Sequence, residues 1–375
     1  MKILQINMEK GWRGGEAQTF LSMEQFRQAH HEVELLARAD EPLATRAKHA
    51  GFKVHSYQEA HAIALFFLSG KARKYDIVHC QTANSLTWAA LLKWCYKGKL
   101  VYSRRTAFPV KPHKENRTRK KWLKTDLFVG VTRSSMDEAI RLGVIDSVMD
   151  MATLKRLASS GSNKANQVIP SATVPQAFDS QRFNDILTTH QIKNKKIIAV
   201  VAAITTEKEP LTQIEAIHRL HQQRQDFVVL HFGSGDMLRL CQAKVKALGL
   251  EQVYYFMGFQ KHVEQLFKGF DVYLLSSRYE GANNGIVNSF FNQVPVVSTA
   301  SGGPNDLIGM HNQRGYLCPV GDTQAIADSL NQALNRDDIT KNQLILAEEY
   351  AIANHTAEVM ANRYLTAFQV LLDQS

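Results

Sequence analysis

The sequence predicts an α/β protein with two open, parallel β-sheets that are covered by helices on both faces. Short apolar runs alternate with segments long enough to hold a helix, and this rhythm occurs twice along the 375 residues. Runs as continuously apolar as these are typical of strands that are buried on both faces, as in parallel sheets. A chain of this length also exceeds one ordinary hydrophobic core, so we expect two domains.

The apolar runs indicate where the strands lie. The first series predicts five strands, at residues 2–7, 32–37, 76–80, 99–103 and 126–131. The second series predicts six strands, at residues 197–203, 227–232, 253–259, 271–277, 294–299 and 315–320. Each series therefore predicts one sheet of parallel strands joined by helices.

The segments around these two series indicate the domain bounds. A polar stretch with several Ser, Thr and Pro residues runs from Ser171 to Lys195 and is interpreted as the linker. The stretch from Gln343 to Leu372 has a helical pattern without Gly or Pro. We therefore predict an N-terminal domain at 1–178, a C-terminal domain at 179–354, and a last helix at 355–375 that completes the first domain.

Composition excludes several classes of protein. Hydrophobic residues make up 45% of the chain and charged residues 21%, values typical of folded globular proteins and not of disordered ones. The four cysteines lie far apart without CxxC or CxH spacing, so neither a zinc site nor a disulfide framework is predicted. No apolar stretch reaches the roughly 20 residues of a membrane span. We expect a cytoplasmic protein that crosses no membrane.

Positive charge is concentrated in one segment, residues 104–124, which we call the basic cluster. It contributes +8 of the net charge of +10, with nine basic residues and one Glu. The basic residues are Arg104, Arg105, Lys111, Lys114, Arg117, Arg119, Lys120, Lys121 and Lys124. Phe108, Trp122 and Leu123 lie among them, a mixture that suits the headgroup region of an anionic membrane. A solvated helix face explains the run equally well, and no nucleic-acid-binding module is recognisable.

Three loops follow predicted strands at the edge where parallel sheets bind ligands. Gly14 and Gly15 follow the first strand, and Gly233 follows the second strand of the second series. Either glycine loop could be a structural turn only. The loop from Ser276 to Gly285 is more informative, because it places Glu280 beside the start of a predicted helix. Glu280 can accept hydrogen bonds from sugar hydroxyls, and helix N-terminal amides favour phosphate.

Several motifs together resemble the retaining, nucleotide-sugar-dependent glycosyltransferases of family 4. They are Gly14-Gly15-Glu16, DIVH at Asp76–His79, VIPS at Val168–Ser171, Glu207-Lys208, and the sequences YEG, PVVSTASGGPND and GYLCPVGD between Tyr279 and Asp322. The resemblance covers most of the chain. It implies the GT-B fold, in which two Rossmann-like domains face each other across a cleft that holds the site. It also implies a reaction without a cofactor or a metal ion.

The resemblance implies roles for individual residues of the second domain. Family members usually carry two glutamates separated by seven residues, the first contacting the donor sugar and the second the ribose. Glu280 matches the first, while Asn288 occupies the second position and can still hydrogen-bond a ribose hydroxyl. Lys208 matches the lysine that contacts the donor phosphate. The Arg usually found five residues earlier is replaced by Ala203.

The first domain departs from the family pattern at two places. Gln81 replaces a second His after DIVH, and Arg104 or Arg105 stands where another His often ends the next strand. The segment SRRTAFPVK, residues 103–111, is similar to the branch that builds lipopolysaccharide. In that branch we expect Arg side chains to face donor phosphates or a phosphorylated acceptor. The expected acceptor- or phosphate-binding residues are Arg104, Arg105, Lys111 and His79.

The expected function is therefore transfer of a hexose, with retention, from a nucleoside-diphosphate sugar to a saccharide. UDP is favoured as the nucleotide, and a lipid-linked surface glycan as the acceptor. The expected catalytic residues are Glu280, Lys208 and Arg105. The expected donor-binding residues are Gly14, Gly15, Gly233, Glu280, Gly281, Ala282, Asn283, Asn284 and Asn288. The expected partners are the donor, the acceptor and an anionic membrane on its cytoplasmic face; the alternatives are a nucleotide-sugar epimerase and a catalytically silent sugar-binding protein.

Overall fold

The computed structural model describes residues 1–106, 108–150, 153 and 165–373. The chain divides into two compact units. The first unit contains residues 1–172 and 354–375, and the second contains residues 173–353. The division lies six residues before the predicted bound at 178, and the last helix is assigned to the first unit.

The first unit is built on a parallel sheet of seven strands. The strands are β1 (Lys2–Asn7), β2 (Glu32–Arg38), β3 (Lys53–Tyr57), β4 (Ile77–Cys80), β5 (Lys99–Arg104), β6 (Leu127–Gly130) and β7 (Ala165–Val168). Their order across the sheet is β3-β2-β1-β4-β5-β6-β7, and every neighbouring pair is parallel. The sequence prediction contained all of these strands except β3 and β7.

Within the described residues of the first unit, seven α-helices are assigned. They are α1 (Gly14–Gln28), α2 (Pro42–His49), α3 (Ile63–Leu68), α4 (Ala83–Leu91), α5 (Glu115–Trp122), α6 (Ser134–Arg141) and the last helix of the chain, α14 (Ala357–Asp373). The last helix packs against α1, where the rings of Tyr364 and Phe368 meet the ring of Phe26. This contact buries all three side chains and explains why the C-terminal residues belong to the first unit.

The second unit repeats the plan with a parallel sheet of six strands, all of them predicted. The strands are β8 (Lys196–Val201), β9 (Phe227–Phe232), β10 (Tyr254–Gly258), β11 (Val272–Leu275), β12 (Val296–Thr299) and β13 (Tyr316–Cys318). Their order is β10-β9-β8-β11-β12-β13. The helices are α7 (Ser180–Thr189), α8 (Pro210–Gln223), α9 (Leu238–Ala247), α10 (Asn284–Phe291), α11 (Gly303–Ile308), α12 (Thr323–Asn335) and α13 (Asp338–His355).

Both sheets are buried on both faces, which accounts for their continuously apolar strands. In the first unit, consecutive residues of β1 such as Ile3 and Leu4 belong to different hydrophobic clusters on the two faces of the sheet. In the second unit, Ile198 and Ile197 of β8 do the same. Lys208, Glu280 and Arg105 lie in the loops that follow the strands, whereas His79 and Arg104 lie within strands.

Candidate functional site

The second unit brings together Lys208 and Glu280, the two catalytic candidates predicted on this unit. The amine of Lys208 lies 2.5 Å from Oε2 of Glu280, and the two side chains are 21% and 12% exposed. The same carboxylate oxygen accepts a hydrogen bond of 3.1 Å from the hydroxyl of Ser277. Lys208 follows β8 and Glu280 follows β11, and these two strands are neighbours in the sheet. Lys208 and Glu280, which are 72 residues apart in the sequence, are therefore in direct contact.

Hydrogen bonds between the two loops hold this pair in place. The amide of Arg278 donates to the carbonyl of Glu207 at 2.8 Å, and the hydroxyl of Ser276 donates to the carbonyl of Lys208 at 2.9 Å. The guanidinium of Arg278 also forms an ion pair of 2.6 Å with Glu209. Because backbone as well as side-chain groups join the loops, Glu280 is presented by a fixed framework.

A second contact fixes Glu280 from the loop after β12. The amide of Glu280 donates to the carbonyl of Ser301 at 2.7 Å, and its carbonyl accepts from the amide of Gly303 at 3.0 Å. A Cβ atom on Gly303 would lie 1.8 Å from the carbonyl oxygen of Gly281, so only glycine allows this approach. The glycine-rich loop predicted beside the site therefore contributes by supporting the Glu280 loop.

Helix α10 begins directly after the Glu280 loop and directs its N-terminus to the same edge. Asn283 caps the helix, because its side-chain oxygen accepts from the amide of Ile286 at 3.1 Å. The same oxygen accepts from the hydroxyl of Tyr273, whose pKa is raised by burial and by the charge of Glu280. Among the residues described, no acceptor receives the amides of Asn284 and Gly285. These two donors are available to an anion.

The remaining donor-site candidates of this unit lie around the same loops. Gly281 and Ala282 connect Glu280 to the capping residue Asn283. Asn288 lies one turn into α10 and is 8% exposed. Gly233 follows β9, where a Cβ atom would lie 1.9 Å from the carbonyl oxygen of Ala202, so close backbone packing accounts for this glycine.

In the first unit, Gly14 and Gly15 form the start of α1. Glu16 lies in the first turn, is buried, and accepts hydrogen bonds from the amide of Arg13 at 3.0 Å and the amide group of Asn7 at 3.3 Å. It therefore stabilises the loop from within. A Cβ atom on Gly15 would lie 3.9 Å from Cδ of Arg105, so the predicted glycines and the predicted arginine are neighbours.

Arg105 is held by neutral partners only. Its Nε and one terminal nitrogen donate to the side-chain oxygen of Gln81 at 3.1 and 2.6 Å, and its other terminal nitrogen donates to Ser171 at 3.4 Å. Burial lowers the pKa of this guanidinium. Within the described part of the chain, no carboxylate forms an ion pair with Arg105. A half-buried cation beside a helix N-terminus is suited to bind an anion.

Arg104 and His79 have a different placement from the one expected of ligand-binding residues. Arg104 is 3% exposed, and its guanidinium donates to the carbonyls of Ser135 and Phe108 and lies over the ring of Trp122. His79 is fully buried, and burial together with the charge of Arg105 holds its pKa well below the usual value. Both side chains therefore support the surrounding structure, since neither reaches solvent.

His79 nevertheless connects to Arg105 through side chains. Its Nδ1 accepts from the amide of Gln5 at 3.2 Å, and the oxygen of Gln5 accepts from Gln81 at 2.8 Å. Its Nε2 lies 2.8 Å from the hydroxyl of Ser103, which lies 2.8 Å from the hydroxyl of Tyr364. The sequence motifs indicated His79 and Arg105, but Gln5 and Tyr364 carried no signal, because they belong to distant elements.

Most basic residues of the basic cluster, including Lys111, are exposed on the segment around α5. Of the large apolar residues within it, Phe108 is 52% and Leu123 is 43% exposed. Trp122 is 3% exposed and packs against Tyr102 and Phe128. This ring is therefore part of the core and does not add to the exposed apolar surface of the basic cluster.

Two further observations concern the described residues as a whole. They contain no group of three or more His, Cys, Asp and Glu side chains placed to hold a metal ion. None of the helices found among them combines the length and the apolar character that crossing a membrane requires.

Two family models match the chain, and each match lies in one unit. The model of Glycosyltransferase Family 4 matches residues 12–149, and the model of Glycosyl transferases group 1 matches residues 184–349. Together these matches span most of both sheets, including the loops of Gly14, Lys208 and Glu280. The chain belongs to the family 4 glycosyltransferases.

Two curated relatives of this glycosyltransferase are described by different activities. The N-acetyl-alpha-D-glucosaminyl L-malate synthase of Bacillus anthracis is 24% identical over 254 residues, which are 66% of each chain. The 2-deoxystreptamine N-acetyl-D-glucosaminyltransferase of Niallia circulans is 22% identical over 321 residues, which are 82% of this chain and 79% of the relative.

Solved structures show that the glycosyltransferase has the GT-B fold. HepE from Anabaena, solved in complex with UDP, is similar with a TM-score of 0.80 at 16% identity, over 97% of this chain and 98% of that chain. A glycosyltransferase from Rickettsia africae ESF-5 is similar with a TM-score of 0.81 at 17% identity, over 100% and 99% of the two chains. The predicted fold class is therefore confirmed.

Proposed function

We propose that the protein transfers a hexose, with retention, from a nucleoside-diphosphate sugar to a saccharide acceptor. The observation that carries the proposal is the Lys208–Glu280 pair, 2.5 Å apart, beside the free N-terminal amides of α10. This arrangement offers a cation and two amide donors for a diphosphate, next to a carboxylate for sugar hydroxyls. UDP is the proposed nucleotide, because HepE is described in complex with UDP and with UDP-glucose.

The second unit would stabilise the leaving group. When the bond from the anomeric carbon to the diphosphate breaks, the sugar becomes oxocarbenium-like and negative charge grows on the phosphate oxygen. The amine of Lys208 and the amides of Asn284 and Gly285 would stabilise that charge. Glu280 would orient the sugar, with Ser277 holding its carboxylate. Asn288, on the next turn of α10, would hydrogen-bond the ribose without a charge.

Retention would follow from attack on the face that the diphosphate leaves. In this step the acceptor hydroxyl approaches the anomeric carbon, and the departing diphosphate oxygen accepts its proton. A double displacement would instead need a carboxylate nucleophile on the opposite face of the sugar. The proposed reaction uses the protein cations for charge stabilisation, so it needs no metal ion.

The first unit would bind a phosphate through Arg105 and the amides near Gly14 and Gly15. Support comes from the lack of a carboxylate partner for this half-buried guanidinium among the described residues. Lys111, which is exposed on the same loop, would add a second cation. We propose a phosphorylated or lipid-linked glycan as the acceptor. One relative is described as a lipopolysaccharide core biosynthesis glycosyltransferase from Rhizobium meliloti, and one similar structure as the lipopolysaccharide outer core galactosyltransferase WaaB.

A lipid-linked acceptor would place the enzyme at the cytoplasmic face of a membrane. The basic cluster would then attract it to anionic lipids, since each basic residue near such a surface contributes roughly 1 kcal/mol. Binding to anionic vesicles should weaken as salt is raised and when Lys120, Lys121 and Lys124 are replaced by Glu. Binding that is absent or independent of salt would contradict this part of the proposal.

The direct test is incubation with UDP-glucose, UDP-galactose and UDP-N-acetylglucosamine, with and without glycan acceptors, in the presence of a chelator. We expect UDP release that depends on the acceptor. The transferred sugar in the product should have the same anomeric configuration, measured by NMR, as the sugar in the donor. With donor alone we expect only slow hydrolysis. Conversion of the donor sugar to an epimer would favour the epimerase instead, and an intact donor under all conditions would favour a silent binding protein.

A further inference from the structure

A groove lies between α4 and α5 on the first unit, on a surface to which the transfer reaction assigns no role. Its volume is about 530 Å³. It is lined by Thr87, Ala90, Leu91, Asn116, Arg117, Lys120, Lys121 and Lys124. Four of these eight residues carry a positive charge, and none carries a negative charge.

The cations of the groove are largely free of protein partners. Within the part of the chain that the structure describes, Arg117, Lys120 and Lys124 are exposed and form no side-chain hydrogen bond or ion pair. Lys121 extends along α4, where its amine donates to the carbonyl of Ala83 at 3.1 Å and to the hydroxyl of Thr87 at 3.3 Å. The groove therefore presents donors and charge that the protein itself does not neutralise.

Burial and neighbouring positive charges disfavour the charged form of Lys121 in the groove. The pKa of Lys121 is lowered to about 8, mainly by burial and next by the charge of Arg117. An anion bound among the four side chains would relieve the repulsion and raise the pKa of Lys121. Arg and Lys side chains together are a suitable set of donors for the oxygens of a phosphate.

The other side of the groove is apolar. Ala90 is buried and forms part of the wall, and Leu91 beside it is 56% exposed. Trp94, which follows α4 within one turn, is 77% exposed, and Leu123 next to the groove is 43% exposed. A free phosphate or a nucleic acid backbone would gain nothing from these side chains, whereas an amphiphile would bury them.

We propose that the groove between α4 and α5 binds the phosphate headgroup of an anionic membrane lipid. The phosphate lies among Arg117, Lys120, Lys121 and Lys124, and the first methylenes of the lipid contact Ala90 and Leu91. This inference rests on the proposed membrane association and sharpens it. The basic cluster as a whole supplies long-range attraction, while the groove is a defined site that takes one headgroup.

The test compares variants of the full chain in co-sedimentation with vesicles of phosphatidylcholine and phosphatidylglycerol, at physiological ionic strength. Charges further apart than about 8 Å are largely screened there. Lys120→Glu changes a residue of the groove, and Lys114→Glu makes the same charge change in the basic cluster outside it. Leu91→Gln removes the apolar contact without any change of charge. Vesicles carrying the same charge on oleate, a carboxylate, serve as the control for phosphate.

We expect Lys120→Glu to weaken binding to phosphatidylglycerol vesicles at least fivefold, Leu91→Gln about threefold, and Lys114→Glu less than twofold. We also expect oleate vesicles to bind more weakly and to respond equally to both charge changes. Equal losses for Lys120→Glu and Lys114→Glu, with Leu91→Gln unchanged, would contradict a defined site in the groove and would indicate diffuse attraction. Retained UDP binding shows that each variant is folded. Failure of UDP binding in the wild type would contradict the donor site and leave the groove untouched.

Discussion

Gln81 shows how one residue can adapt a site to a change in its neighbour. It stands where the family resemblance expects a His, and its oxygen accepts both near hydrogen bonds of Arg105. Its amide group donates to Gln5, whose own amide donates to His79. A neutral His79 with a free Nδ1 lone pair is the only form that can accept this bond, so its low pKa fits the direction of the network.

Gln81 is therefore expected to act on transfer only through Arg105. Gln81→Leu should lower kcat/KM about tenfold, because Arg105 loses the acceptor that orients it. Arg105→Lys should lower kcat/KM at least as much, since a lysine cannot form the same pair of bonds. The double variant should be no worse than Arg105→Lys. Steady-state transfer assays on the four proteins measure this, and independent, multiplying losses would contradict it.

For single residues, the sequence indicated which side chains could bind a ligand better than it indicated which of them are buried. Lys208 and Glu280 were both named from short motifs, and they lie in contact. Arg104 and Arg105 are adjacent in the sequence, and nothing in it distinguishes the buried side chain from the half-buried one. Arg104 ends β5 and lies over the ring of Trp122, whereas Arg105 begins the following loop.

Among the elements, continuous apolar character identified the central strands and missed two outer ones. Strand β3, KVHSY, is only half-buried, because it is the outermost strand of its sheet beyond β2. Strand β7, ANQV, is polar although Asn166 and Gln167 are buried, and it lies at the opposite edge. Both strands therefore lack the pattern that reports burial on two faces.

Gly303 and Gly15 differ in the space available for a side chain. Gly303→Ala should destabilise the second unit by roughly 2 kcal/mol or more and weaken UDP binding, because its Cβ would collide with the backbone of Gly281. Gly15→Ala is the matched variant in the first unit, with nothing nearer than 3.9 Å. Thermal unfolding should show no loss of stability for Gly15→Ala. Equal stability of both variants would contradict the packing argument.

Strands β2 and β3 share a buried carboxylate that makes stability depend on pH. Burial raises the pKa of Glu34, but hydrogen bonds from Lys74, Tyr75 and His55 outweigh it and lower the pKa to about 2. The pKa of Glu34 is lower in the folded protein than in the unfolded protein, where it is near 4.3. The ionised carboxylate therefore stabilises the fold above about pH 4.3, and this contribution is lost as the pH falls toward 2. In the wild type, roughly 2–3 kcal/mol should be lost across this range. Glu34→Gln should remove that part of the dependence, as followed by urea unfolding at several pH values.

On the scale of the whole chain, the C-terminal helix completes a unit whose other residues end at Ala172. Phe368 of α14 is fully buried against Phe26, Tyr364 and His79. The sequence predicted a helix here from its pattern, with no strand after it, and a return of this helix to the first domain. It could not predict the contact with His79, because no local pattern links residues this far apart.

All four tryptophans lie in the first unit, so their fluorescence reports its unfolding selectively. They are Trp12, Trp88, Trp94 and Trp122. Phe368→Ala should destabilise this unit by roughly 3–5 kcal/mol, because a large buried ring is removed. Phe259→Ala, at a ring that is 73% exposed in the second unit, should leave the transition unchanged. The same midpoint for both variants would contradict the assignment of α14 to the first unit.

Binding of a nucleoside diphosphate beside Lys208 and Glu280 can be measured directly by calorimetric titration without metal. UDP, GDP and ADP are titrated into the wild type, Lys208→Ala and the control Lys268→Ala, an exposed lysine of the same unit. We expect UDP to bind the wild type and Lys268→Ala equally, and to bind Lys208→Ala roughly tenfold to a hundredfold more weakly, because a charged hydrogen bond is lost. No binding of any diphosphate, or unchanged binding by Lys208→Ala, would contradict this expectation.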